Sequence, residues 1–189
     1  YTEFQSQLLE RWLTTDEVIN KYLTHYETGK PIPAELVAKI KKAATFNEGF
    51  KTTEYLASAI IDLKLHTTDP ANIDPDKFER ETLNEMKMPK QLVMRHRTPH
   101  FGHVFSGEGY ASGYYGYMWA EVLTSDASEA FEEAPGGYYD KKVAAKLVNH
   151  LFAVRNAMDP AEAYRLFRGR DAKVEALMRD RGFPIPQDK

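Results

Sequence analysis

Between His100 and Trp119 the chain reads His-Phe-Gly-His-Val-Phe-Ser-Gly-Glu-Gly-Tyr-Ala-Ser-Gly-Tyr-Tyr-Gly-Tyr-Met-Trp. The types and spacing of these residues could do chemistry. A tyrosine hydroxyl donates a hydrogen bond without carrying charge, which suits an oxygen that gains negative charge during a reaction. Glycines let a backbone bend tightly and approach a ligand closely. Those at 107, 109, 113 and 116 each weaken a helix by roughly 0.5–1 kcal/mol relative to alanine. Packing alone does not need so many. The competing reading is a core helix of aromatics, because Tyr110, Tyr114 and Tyr117 fall near helical spacing and Trp119 and Val122 continue the apolar character.

A second constellation is His96, His100 and His103, whose i, i+4, i+7 spacing suits metal ligation on a helix. Pro99 and Gly102 argue against a regular helix there. No glutamate stands where a His-Glu-x-x-His motif needs one. Surface or packing roles for His96 and His100 therefore weigh more. His25, His66 and His150 are isolated and read as structural.

The elements that must position the tyrosine run are helical. Phe4, Leu8 and Trp12, with Leu9 and Leu13 beside them, form an apolar stripe, and Glu3, Gln7 and Glu10 share the opposite face. Thr14 and Glu17 have the spacing of a capping box that starts a short helix through Tyr22. Gly29 to Pro33 is a loop, and Pro33 suits the first turn of a helix through Leu36, Val37 and Ile40. A long helix covers roughly 46–66. Asp74-Pro75 is an N-cap followed by a first helical position. The stretch between Pro89 and Pro99 is ambiguous, and its weak alternation leaves a short strand open. Helices follow over 114–131, stopped by Gly136-Gly137, and over 140–157. Asp159-Pro160 opens another, and Gly169 separates it from a last helix ending at Gly182, before Pro184 and Pro186. The expected fold class is an all-α, multi-helix domain with a glycine- and tyrosine-rich loop inside it.

Composition bounds the function. The 189 residues are 42% hydrophobic and 28% charged, enough for one domain with a real core. A net charge of −3 argues against a nucleic-acid-binding surface. No apolar run approaches the ~20 residues of a membrane span. There is no cysteine, so disulfides and thiolate ligands are excluded. The chain opens on Tyr1 without a signal-like segment, which reads as a fragment or a processed start. The expected location is cytoplasmic.

The tyrosine run resembles the substrate-binding loop of the thimet oligopeptidase, oligopeptidase A and bacterial peptidyl-dipeptidase family of zinc metallopeptidases. Tyr110-Ala111-Ser112-Gly113-Tyr114-Tyr115 is closer to the bacterial branch than to the animal oligopeptidases, which carry Asp and Gln inside this motif. The segment Tyr1 to Trp12 resembles the family's Asp-Phe-Val-Glu-x-Pro-Ser-Gln followed by a Glu and a Trp. His25 to Pro33, Phe46 to His66, and Asp159 to Phe183 are also similar, so the resemblance covers nearly the whole chain. Gln5 departs from the family's proline and Thr2 from its valine. The loop from His103 to Tyr110 is one or two residues longer than the family's, with Glu108 the inserted residue. No His-Glu-x-x-His occurs.

The resemblance implies the C-terminal helical half of a zincin-type peptidase. In such a site zinc polarises the scissile carbonyl and activates a bound water. The match makes Glu3 the third zinc ligand, where the residue alone would read as a helix-start acid favoured by the helix dipole. Two histidine ligands and a general-base glutamate would come from an N-terminal part of the same polypeptide. His103, Tyr110 and Tyr117 would bind short peptide substrates, with Tyr117 donating to the tetrahedral oxyanion and His103 beside it. Tyr114 is a weaker candidate. The chain by itself is expected to fold, to bind zinc poorly, to leave peptides uncut, and to self-associate through exposed apolar surface. Two other readings compete: an inactive helical module binding peptides through the tyrosine groove, and a structural domain with no cleft around that loop.

Overall fold

The computed structural model describes residues 1–185, so Pro186 lies outside the described residues. The chain is all-α. Among the described residues extended pairing is limited to one isolated bridge, Thr24 with Pro31. Among the described residues no helix is long and apolar enough to cross a membrane. Two compact units form: Tyr1–Phe46 together with the chain from Met118 onward, and Asn47–Tyr117.

The first unit begins with α1 (Phe4–Glu10) and a 3₁₀ turn over Arg11–Thr14, followed by α2 (Asp16–Lys21) and α3 (Ala34–Ala43). Phe4 and Leu8 are fully buried, and Trp12 meets Phe131 edge-on at 5.0 Å while its indole N–H donates to the Tyr138 carbonyl at 2.9 Å. The apolar stripe is narrower than expected, because Leu9 and Leu13 are 53% and 56% exposed. Leu9 lies about 100° around the helix from Leu8, and the change to three residues per turn beyond Glu10 rotates Leu13 off the buried face.

The expected capping box does not form. Thr14 Oγ1 donates to the Arg11 carbonyl at 3.1 Å, and Thr15, the residue that does precede α2, donates its hydroxyl to the Trp12 carbonyl at 2.7 Å. Carbonyls of the 3₁₀ turn capture both hydroxyls, that of Trp12 while also accepting the Thr15 N–H at 3.1 Å. Pro33 sits one position before α3 rather than inside it, and α3 buries none of its side chains.

The other helices of this unit are the body of α7 (Gly116–Glu132), α8 (Lys141–Leu147), α9 (Pro160–Arg168) and α10 (Val174–Asp180). Asp140 caps α8 by accepting from the N–H groups of Lys142 and Val143 at 2.9 and 3.0 Å. This helix is shorter than expected: it passes into a π-turn over Val148–Phe152 and ends there. Asp159 caps α9 with Pro160 at its first position, and Gly169, at φ +84°, closes it. Gly136 is required by space, since a Cβ there would meet Asp140 Cα at 2.8 Å.

The second unit contains α4 (Glu48–His66), α5 (Pro75–Glu85), a 3₁₀ turn over Thr98–His100, the single-turn α6 (Gly102–Phe105) and the tyrosine loop. Asp74 caps α5 as expected, accepting from the Lys77 N–H at 2.9 Å. Ile61, Met94, Phe101 and Val104 form its core. No strand forms between Pro89 and Pro99. A tertiary clamp orders the end of that stretch instead. Buried Glu79 accepts from the N–H and hydroxyl of Thr98 at 2.8 and 3.0 Å and pairs with Arg97 Nε at 2.5 Å.

Candidate active site in the tyrosine loop

The burial of Phe101 and Val104 fixes the short helix α6, and His103 between them is exposed. Its Nε2 lies 2.9 Å from the Tyr117 hydroxyl. Tyr110 covers the same histidine with ring centroids 4.5 Å apart and stacks on Tyr117 at 5.6 Å and 8°. The Tyr110 and Tyr117 rings are therefore parallel and close, although residues 111–115 are turns and the helix begins only at Gly116. Successive turns close with the Gly113 N–H on the Tyr110 carbonyl and the Gly116 N–H on the Gly113 carbonyl, both at 2.9 Å. Ser112 takes the left-handed conformation, φ +58°. The aromatic-helix reading of this run thus fails over its first half.

Tyr114 forms the floor. Its ring stands edge-on to His103 and Phe101 at 5.6 and 5.1 Å and stacks on Tyr55 at 5.4 Å. Burial pushes its phenol above the usual tyrosine range, so it stays un-ionised. His96 stacks on Phe101 at 4.9 Å, and burial, then the neighbouring Arg95 charge, lower its pKa, favouring a neutral ring. Tyr55, His96, His103, Tyr114 and Tyr117 line a small cavity of about 210 Å³.

The structure therefore brings His103, Tyr110, Tyr114 and Tyr117 together. Tyr55 and His96 line the cavity without having been singled out for it. Tyr55 had no spacing to mark it, since it lies 59 positions from Tyr114. His96 was visible only as a member of the histidine triplet. That triplet does not make a metal site: among the described residues no group of three or more His, Cys, Asp or Glu side chains could hold an ion.

Glu3 lies in the other unit, at the start of α1, where its carbonyl accepts from the Ser6 hydroxyl at 2.9 Å. It offers one carboxylate. A catalytic zinc needs three protein ligands, and the described residues do not supply that set by themselves.

Residues 1–183 match the model of peptidase family M3. The chain is 33% identical over 189 residues to a dipeptidyl carboxypeptidase of Escherichia coli, covering 98% of this chain and 27% of that protein. It is 34% identical over 186 residues to oligopeptidase A of Haemophilus influenzae, covering 95% and 26%. Saccharolysin of Saccharomyces cerevisiae is 28% identical over 189 residues, covering 96% and 25%. The chain thus spans about a quarter of the length of the curated relatives it matches. With a family model matched over almost its whole length, the chain belongs to peptidase family M3.

Proposed function

We propose that this chain supplies the substrate-binding and oxyanion-binding groups of a zinc metallopeptidase that hydrolyses short peptides. The observation that carries this reading is the 2.9 Å contact between His103 Nε2 and the Tyr117 hydroxyl beside the small cavity. With its proton on Nε2, His103 donates to the phenol oxygen and leaves the phenol proton to point at a substrate oxygen. The two hydrogen bonds polarise each other, so the phenol donates more strongly when the carbonyl oxygen gains charge. Tyr110, stacked on Tyr117, restricts the ring, and Tyr114 walls the cavity with a neutral group.

Glu3 is proposed as one zinc ligand, with the remaining ligands on the polypeptide beyond these 189 residues. The same polypeptide is the proposed partner of this chain, and the proposed location is the cytoplasm. Separated from that partner, the chain would self-associate through exposed apolar side chains such as Leu36, Ile40 and Phe46. The names of the relatives include both a dipeptidyl carboxypeptidase and an oligopeptidase, so the reading commits to peptide hydrolysis and to neither pattern of cleavage.

One experiment tests the assignment. In the polypeptide as its gene encodes it, Tyr117→Phe should lower kcat on a quenched-fluorescence peptide by roughly 10²–10³, the usual effect of losing one oxyanion donor, with zinc content and KM little changed. Glu3→Ala should instead lose the metal. Wild-type kcat in Tyr117→Phe overturns the oxyanion role, and stoichiometric zinc in Glu3→Ala overturns the ligand role. A second reading, peptide binding without turnover, rests on the same aromatic cavity. That reading gains if peptides bind the intact polypeptide, and Tyr110→Ala weakens them, with no cleavage at any zinc concentration.

A further inference from the structure

Asp62 stands in the middle of α4 with only 1% of its surface exposed, and its partners are unusual for a buried acid. No lysine or arginine pairs with it among the described residues. Oδ1 accepts the backbone N–H of Ser112 at 3.0 Å, and Oδ2 accepts that of Tyr114 at 2.9 Å. His66 Nδ1, one helical turn further on, lies 2.9 Å from Oδ1 and hydrogen-bonds the Asp62 main-chain carbonyl, also at 2.9 Å. On the same face of α4, seven residues before Asp62, the Tyr55 hydroxyl donates to the Tyr114 carbonyl. Tyr55 and Asp62 are seven residues apart, so two positions on one helical face hold one loop.

The target of this grip is specific. Residues 112–114 are the turn that carries Ser112 in the left-handed region, and they lead directly into Gly116 and Tyr117. A β-carbon-bearing residue holds that conformation only when its surroundings over-determine it. The carboxylate does so by engaging the N–H on either side of Gly113, one with each oxygen. The segment just upstream has no such hold: residues 105–109 are exposed, and a Cβ at Gly107 or Gly109 would meet nothing within 4 Å. Asp62 and His66 do not line the cavity. A buried carboxylate is costly unless it is fully hydrogen-bonded, and a leucine could fill the same volume. What the carboxylate adds is one fixed backbone course.

We propose that Asp62 is the positioning residue of the candidate active site. It holds the Ser112–Tyr114 turn so that Tyr110 and Tyr117 flank His103. The kinetic consequence rests on the proposed role of Tyr117, whereas the backbone consequence does not.

The test uses Asp62→Asn in the polypeptide as its gene encodes it. The carboxamide keeps the shape but has one acceptor oxygen, so one of the two N–H groups loses its partner. Amide hydrogen exchange should quicken at least tenfold at Ser112 or Tyr114, while the amides of α5 keep wild-type rates. Glu79→Gln, a second buried acid of the same unit, is the control and should leave 112 and 114 protected. In the kinetic arm, Asp62→Asn should lower kcat roughly 10–100-fold with KM close to wild-type, and should lower it little further when added to Tyr117→Phe. Wild-type exchange at both amides overturns the proposal, as does uniform acceleration across the unit, which marks a merely structural acid. If Tyr117→Phe is impaired and Asp62→Asn has wild-type kcat, the positioning role also falls. If Tyr117→Phe is fully active, the oxyanion reading fails and exchange alone decides the role of Asp62.

Discussion

Asp126 and Asp62 are both buried acids, one in each compact unit, and they are neutralised in different ways. Asp126 sits in α7, wholly inaccessible, and is met mainly by side chains, with one backbone N–H, that of Lys173, at 3.3 Å. Tyr164 donates to it at 2.7 Å, Arg170 Nη1 at 2.7 Å and Arg168 Nε at 3.3 Å. Arg168 in turn forks onto Glu133 at 2.8 and 2.6 Å. This network ties α7 to α9 and to the segment before α10 through charge. Asp62 has no arginine and is satisfied largely by backbone N–H groups. A buried acid met by cations braces a core, because each charge answers another buried charge. One met by the amides of a loop selects a backbone course, because only that course presents the amides.

The strongest way to break this contrast is to remove Asp126. Asp126→Ala leaves Arg168 and Arg170 without their buried partner and should cost about 3–5 kcal/mol. Urea unfolding followed by helical circular dichroism would show it as a lower midpoint. A change below about 1 kcal/mol would mean that the network braces nothing. Asp62→Asn should cost less, about 1–3 kcal/mol for one stranded amide, and its main effect should stay in the loop.

The two units should also differ in their response to acid. His96 has a lowered pKa in the folded state, with Arg95, Glu54 and His103 as its charged or titratable neighbours. The unfolded state then binds a proton first as pH falls. Stability is therefore complete above the unfolded value of about 6.5 and declines as pH falls from there toward the lower folded value. The Arg168 fork lowers Glu133, so the stability this pair contributes persists until pH falls below the unfolded glutamate value of about 4.3. Thermal melts between pH 7.5 and 5.5 should thus weaken the unit carrying the tyrosine loop first, and His96→Phe should flatten that slope. An unchanged slope in the variant would assign the effect elsewhere.

The smallest effect is expected at Gly107. Its added methyl meets nothing, so Gly107→Ala should change stability by no more than about 0.5 kcal/mol and leave turnover unchanged. A large loss of activity there would show that the upstream half of the loop, and not the turn gripped by Asp62, sets the site.

Much of this was legible because some signals are local. Asp74-Pro75 and Asp159-Pro160 are local helix-start signals, and both aspartates cap their helices. Gly169 is a local helix-end signal and has the positive φ that such an end requires. The density of glycine and tyrosine after His103 marked the loop, and its motif carried the family. The misreadings came from local patterns with a competitor nearby. Thr14 and Glu17 had cap spacing, but the carbonyls of Arg11 and Trp12 were closer partners for the hydroxyls of Thr14 and Thr15. The helix expected from Tyr114 begins only at Gly116, because the glycine-rich turn that marks the loop extends that far.

By itself the sequence determined most of the helices, the aspartate caps of α5 and α9, the all-α class and the family. Each of these depends on residues within about four positions of one another, or on a run of residue types that survives as a string. Only the tertiary structure decided how the loop is held. Asp62 reaches Ser112 and Tyr114 across 50 and 52 positions, and Glu79 reaches Thr98 across 19. A buried carboxylate has no periodic signature, and in the string Asp62 is one acid on a long helix. Its role exists only when chain closure brings unpaired backbone amides to its oxygens, and that geometry is a property of the packed fold.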